Sequence, residues 1–209
     1  MSELWLTSDL HFGHVNIIRY TGRPYASVED MNEGMIASWN SVVRPEDTVW
    51  VLGDVCMGTL SHTLQLVGRL HGELHLLCGN HDRAFPGHGG RTMDWERRYL
   101  DAGFASIQYG VIDLDIGMDA PVRACHFPYH GDSHDDDRFP DQRPQDDGRP
   151  LVHGHTHGSW RQHDLMVDVG VDAWGGVPVR ASNVARLLAN GPADLAPLEW
   201  MSGSTLTPG

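Results

Sequence analysis

Residues 4–12 read LWLTSDLHF, and the architecture follows from this stretch. LWLTS is a short apolar run suited to a buried strand, and it closes on Asp9, with His11 two places further on. The same design returns at 48–54, where TVWVL is followed by Gly53 and Asp54, and at 74–80, where LHLLCGN ends on Gly79 and Asn80. Between the first two runs, residues 27–43 begin with a Ser27/Asp30 capping box. They carry Met31, Met35, Trp39 and Val42 on one helical face. A second helix is expected over 61–70, with Leu64, Val67 and Leu70 turned inward. Strand, helix, strand, helix, strand, with polar residues at the carboxyl ends of the strands, is the order of an α/β domain.

A third helix is expected over 91–101, with Gly103 near its C-cap. Segments 104–108, 111–116, 121–126, 151–155, 165–171 and 177–180 then read as short strands, forming a second sheet packed on the first. Residues 130–150, HGDSHDDDRFPDQRPQDDGRP, read as a long solvated loop or a lid. One domain over 1–190 with a loosely held tail over 191–209 is the expected organisation.

The chain has 209 residues, a net charge of −13 and no lysine, every basic residue being arginine. Such a surface repels polyanions, so nucleic acid is not favoured by charge as a partner, and a small ligand is expected instead. No basic amphipathic run or long apolar span suggests a membrane, and the N-terminus lacks a leader pattern, so a cytoplasmic location is expected. Cys56, Cys78 and Cys125 are odd in number and lie apart in apolar segments. That argues against disulfides and thiolate zinc sites.

The chemistry lies at the strand ends. Asp9, His11, Asp54, Asn80, His126, His155 and His157 offer seven oxygen and imidazole donors beside glycines. Residues two apart on a strand point the same way, so Asp9 with His11, and His155 with His157, can each aim two donors into one space. A thiolate-free set of this kind suits Mn²⁺, Fe, Co²⁺ or Zn²⁺, and seven donors fit two ions sharing a bridging carboxylate.

In order, SDLH, LGD, CGNHD, CHFP and GHTH resemble the calcineurin-like metallophosphoesterases, whose pattern is D-x-H, G-D, G-N-H-D/E, H and G-H-x-H. The resemblance spans residues 5–160. SDLHFGHVNIIRYTGRPY and VDVGVDAWGGVPV are similar to a small bacterial and phage branch. It implies an α/β fold of four layers, α/β/β/α, two mixed sheets flanked by helices. It implies two divalent metal ions per chain, with manganese first and Fe, Zn, Co or Ni as alternatives. Asp9, His11, Asp54 and His157 would hold one ion, and Asp54, Asn80, His126 and His155 the other, with Asp54 bridging. The implied activity is hydrolysis of phosphate mono- or diesters, such as small phosphodiesters or nucleotides, by hydroxide shared between the ions.

In that family the histidine at the position of His81 gives a proton to the leaving oxygen or stabilises transition-state charge. Asp82 is expected to orient the His81 imidazole. His14, Arg23, Arg83 and Asp132 are candidate substrate contacts. Trp174 reads as core more than as a stacking platform, and His153 as a support behind the donors. His62, His71, His75, His88, His134 and His163 show no partner pattern. Three alternatives are a nuclease, a catalytically silent scaffold binding a protein partner and a metal-free, pH-responsive histidine cluster.

Overall fold

The computed structural model describes residues 2–89 and 92–201. The first half runs β1 (Leu4–Thr7), α1 (Ile17–Thr21), α2 (Val28–Val42), β2 (Thr48–Val51), α3 (Leu60–Thr63), β3 (Glu73–Leu77), α4 (Thr92–Ala102) and β4 (Phe104–Gln108). The second adds β5 (Ile112–Leu114), β6 (Val122–Ala124), β7 (Leu151–His153), β8 (Gln162–Asp164), β9 (Met166–Asp168), β10 (Val179–Arg180), α5 (Ala181–Ala189) and β11 (Ala193–Leu195).

The architecture is α/β, with two mixed sheets flanked by helices. The first sheet has the order β10-β1-β2-β3-β4, with β1 to β4 parallel and β10 antiparallel at the edge. Its strands are apolar on both faces because both faces are covered. Trp5, Val49, Val51, Leu74 and Leu76 pack with Met31, Met35 and Trp39 of α2 and with Tyr99 of α4. Leu6, Leu52 and Leu77 pack with Ala124, Val152 and Val167 of the second sheet, so the two sheets face each other across this cluster. The second sheet has the order β11-β8-β9-β7-β6-β5.

The expected α2 is present, and the Ser27 side chain accepts a hydrogen bond from the Asp30 backbone N–H at 3.0 Å. The expected 61–70 helix is not one α-helix: α3 gives way to a 3₁₀ segment over Leu64–Arg69. Leu64, Val67 and Leu70 recur every third residue, a spacing that 3₁₀ winding aligns on one side.

Two strands expected in the second sheet join the first. β4 extends it beyond β3, carrying Phe104 against Tyr99, and β10 closes its other edge against β1. Two strands were not expected, β8 and β11. β11 lies within the stretch read as a loosely held tail, yet it pairs with β8 in antiparallel register. Further on, Trp200 packs edge-on against Tyr25; residues 202–209 of that stretch lie outside the described residues. Among the described residues, no helix is long and apolar enough to cross a membrane.

Candidate metal centre

The donor-bearing segments do not continue their strands. Seven non-glycine residues among those described have positive φ, and five of them are donors: Asp9 (57°), His11 (52°), Asp54 (58°), His155 (72°) and His157 (47°). Strand alternation is therefore not what brings Asp9 to His11 or His155 to His157. Left-handed residues at alternate positions turn each pair into the same space. Such conformations cost on the order of 1–3 kcal/mol each and persist only where the surroundings hold them. Here the hydrogen bonds Asp9 N–H to Gly53 O, His11 N–H to Asp54 O and Phe12 N–H to Val55 O, each 3.0 Å, lock the first turn to the second. Two glycines make room: a Cβ at Gly79 would strike Asp54 Oδ1, and one at Gly154 would strike Ser8 Oγ.

The donors converge. Asp54 Oδ2 lies 3.5 Å from His126 Nε2 and 3.7 Å from His11 Nε2. His11 Nε2 is also 3.7 Å from Asp9 Oδ1. Asn80 Oδ1 sits 3.1 Å from both His126 Nε2 and His155 Nδ1. Asp9, His11 and His157 form one group able to hold a metal ion, and Asp9, Asp54 and His126 another. Asp9 Oδ1 and both ring nitrogens of His11 are buried without a hydrogen-bond partner among the described residues. Orphaned donors and acceptors of this kind are what a cation would satisfy, so the residues fit a metal.

Further contacts fix which nitrogen faces inward. His126 Nδ1 lies 2.7 Å from Leu52 O, which leaves Nε2 toward Asp54. His155 Nε2 lies 2.8 Å from Asp132 Oδ2, which leaves Nδ1 toward Asn80. His153 is fully buried behind the donors, with Nδ1 on Gly154 O at 2.7 Å. Burial keeps its pKa down, at about 4.

Several candidate contacts sit elsewhere than expected. Arg23 is buried beneath the donors: Nε and Nη2 bind Asp172 at 2.9 and 2.8 Å, while Nη1 and Nη2 hold Leu10 O and Asp9 O. It clamps the Asp9 turn and has no free face for substrate. Asp172, which the sequence did not single out, also lies 3.8 Å from His157 Nδ1. Asp82 does not orient His81. Its carboxylate accepts from the backbone N–H groups of Asp54, Val55 and Gly79 and from Tyr99 Oη, so it holds the Asp54 and Gly79 turns together. Burial, with Asp54 nearby, pushes its pKa up to about 6.

Asp132 is buried and pairs with Arg138 and Arg143 as well as His155. Trp174 is half-buried against the second core, its Nε1 donating to Asp168 O at 2.7 Å. Arg83 is exposed beside a recess of about 170 Å³ that it shares with His81 and His88. His88 Nε2, which showed no pattern in sequence, meets Asn80 O at 2.8 Å.

His81 is half-exposed, with its backbone N–H donating to Asp54 Oδ1 at 2.9 Å and its Nε2 4.0 Å from Asp54 Oδ2. Burial, then His126, lowers its pKa. It opens on a cleft of about 790 Å³ that also meets His11, His14, Tyr20, Arg138 and His157. His134, unassigned from sequence, lines the same cleft.

Burial raises the pKa of Asp54, and neighbouring Asp9 adds to the rise. Burial acts on Asp9 in the same direction, but His11, His157 and His126 outweigh it and hold Asp9 low. Burial also opposes the charge on His157, yet Asp172, Asp9 and Asp54 push its pKa up to about 9.

Fold and site together define an α/β protein with a buried carboxylate–imidazole centre able to hold metal, open to a cleft at the strand ends. The chain is similar to the Gene 66 protein of Mycobacterium phage L5, 36% identical over 189 residues that cover 84% of this chain and 89% of that one. It is likewise similar to the Gene 66 protein of Mycobacterium phage D29, 35% identical over 193 residues covering 83% and 90%. The chain belongs to the family of these phage proteins. Its fold matches that of a protein of unknown function from Aquifex aeolicus, with a TM-score of 0.67 at 21% identity, covering 90% of this chain and all of the other. No profile of a known protein family matches the chain.

A protonated His157 cannot serve as a ligand, so a cation that takes this imidazole must displace its proton. Manganese affinity should therefore rise as pH increases toward about 9, where His157 becomes neutral. Calorimetric titration in two buffers of different ionisation heat measures the release; an affinity flat with pH and no proton release would contradict it.

Proposed function

We propose that the protein is a binuclear metal-dependent phosphoesterase that hydrolyses phosphate mono- or diesters, small phosphodiesters or nucleotides foremost. On this reading its two sheets and helices are the four-layer sandwich of the calcineurin-like metallophosphoesterases. One observation carries the proposal: Asp54 Oδ2 stands within 3.7 Å of His11 Nε2 and His126 Nε2, two imidazoles that this reading gives to different ions.

Asp9, His11, Asp54 and His157 would hold one ion, and Asp54, Asn80, His126 and His155 the other. Mn²⁺, or in its place Fe, Zn²⁺, Co²⁺ or Ni²⁺, would supply Lewis acidity to the phosphoryl oxygens and lower the pKa of a water. The chain's own part is to hold the ester and manage the leaving group. His81, at the cleft edge and tied through its backbone to Asp54, can place a proton on the departing oxygen as its bond to phosphorus breaks. His14, half-buried in the same wall with its ring 5.4 Å from His11, can contact the phosphate. Arg23, Asp82 and Asp132 act through other groups, holding the turns and rings that carry the donors.

Hydrolysis of a nitrophenyl ester should disappear on chelation and return with Mn²⁺; full turnover in a verified metal-free sample would refute the proposal. Asp54→Ala should lower metal content more than any other single ligand change, because it removes a donor from both ions. Two ions still bound per chain by elemental analysis would show that Asp54 does not bridge.

His81→Ala should keep both metals and lose about 10²–10⁴-fold in rate, most with poor leaving groups that need a proton. An equal loss with good and poor leaving groups would assign His81 to orientation instead. The net charge of −13 leads to a further expectation, that a dinucleotide is cleaved better than a long single strand. A preference for the long strand that collapses as salt rises would identify a nuclease with an arginine-lined groove.

A further inference from the structure

The chain carries 28 Asp and Glu residues, yet none of the described residues lining the 790 Å³ cleft is acidic. The one arginine among them is Arg138. It belongs to the 130–150 segment, which the sequence reads as solvated loop and the structure shows as a built wall. Arg143 ties that wall together, donating through Nε to Arg138 O, through Nη1 to Pro128 O and Gly131 O, and through Nη2 to Asp132. Phe127 and Phe139 pack on the His155 ring at 5.0 and 5.7 Å.

Asp132 is the hub. One oxygen meets His155 Nε2 and Arg143, while the other takes Arg138 Nε at 3.1 Å and Nη2 at 2.6 Å. Arg143 has spent its donors inside the wall, and its side chain is 6% exposed. Arg138 keeps Nη1 without a hydrogen bond to any described residue, on a side chain 36% exposed. Two guanidinium groups against one carboxylate leave a surplus positive charge, and it faces the cleft. Asp135, Asp136 and Asp137 are exposed nearby, but none of them lines the cleft.

The guanidinium is thus fixed in place before any ligand arrives, one carboxylate and one imidazole away from the donor Asn80. Its side-chain hydrogen bonds go to Asp132 and Ser133 and to none of the seven donors, which suits it to the next charged group along the substrate. Ile17 and Tyr20, which line the same cleft, carry no charge. We propose that Arg138 is a specificity residue that selects phosphate esters bearing a second anionic group beyond the scissile phosphate. This rests on the phosphoesterase reading for the ester itself, while the second-anion subsite is a binding property that can be measured without turnover.

The test is calorimetric titration of the manganese-loaded protein with the non-hydrolysable phosphonate analogues of adenosine 5′-monophosphate and adenosine 3′,5′-bisphosphate, which differ by one anionic group. Wild type should bind the bisphosphate about tenfold tighter or more, as a charge-assisted contact warrants, and Arg138→Met should abolish most of that preference while leaving the monophosphate affinity close to wild type. Arg138→Lys, which keeps the charge without the fork bound to Asp132, should retain part of the preference and guards against a variant that fails to fold. No preference in wild type, a preference intact in Arg138→Met, or an equal loss for both ligands would overturn the proposal. Nitrophenyl ester hydrolysis, run alongside, fails only if the phosphoesterase reading fails.

Discussion

Two carboxylates buried side by side set the terms for the rest of the molecule. Asp9 and Asp54 are each 1% exposed, and among the described residues no arginine side chain pairs with either carboxylate. An unpaired buried charge costs several kcal/mol, so something must compensate two of them. The nearest buried guanidinium, Arg23, is already committed to Asp172 and to backbone carbonyls. Imidazoles and an amide oxygen remain, and the carboxylates draw on the imidazoles: Asp9 and Asp54 help push His157 up to about 9 and raise His126 against its burial. The fold holds its donors in left-handed turns, each unfavourable by itself, and braces them with Asp82, Arg23 and the crowded Gly79 and Gly154. On the proposed reading, a metal cation at the same place would compensate both carboxylates at once and release those imidazoles to act as ligands.

Six of the seven donors were legible in sequence because each lies within two residues of a glycine or another donor at the end of an apolar run, and His126 because it closes the apolar run before Phe127 and Pro128. Local spacing carries that information. The conformation was not legible: the pattern D-x-H is equally compatible with a strand and with paired left-handed residues, and only the neighbouring chain decides. The same limit hid the braces. Arg23 and Asp172 are 149 positions apart, and nothing local marks either as half of an ion pair. Asp82 was misassigned for a related reason. It adjoins His81 in sequence, but three converging backbone N–H groups and a tyrosine hydroxyl draw its carboxylate to the opposite side.

The 130–150 segment shows where composition stops being informative. Asp, Arg and Pro in such density describe a solvated linker as well as they describe a wall, since both are polar and lack periodicity. What distinguishes them is an anchor. Asp132 finds one in His155, and the anchor turns nearby arginines from solvated side chains into fixed ones. Net charge misleads in the same way. No described residue lining the cleft is acidic, and at physiological salt a charge is felt over about 8 Å, so the nearest side chains set the local field. A chain of net charge −13 can therefore present an anion with histidines, hydroxyls and one arginine. A net charge that would repel a long polyanion along the whole surface would not act in the same way on a small anion inside the cleft.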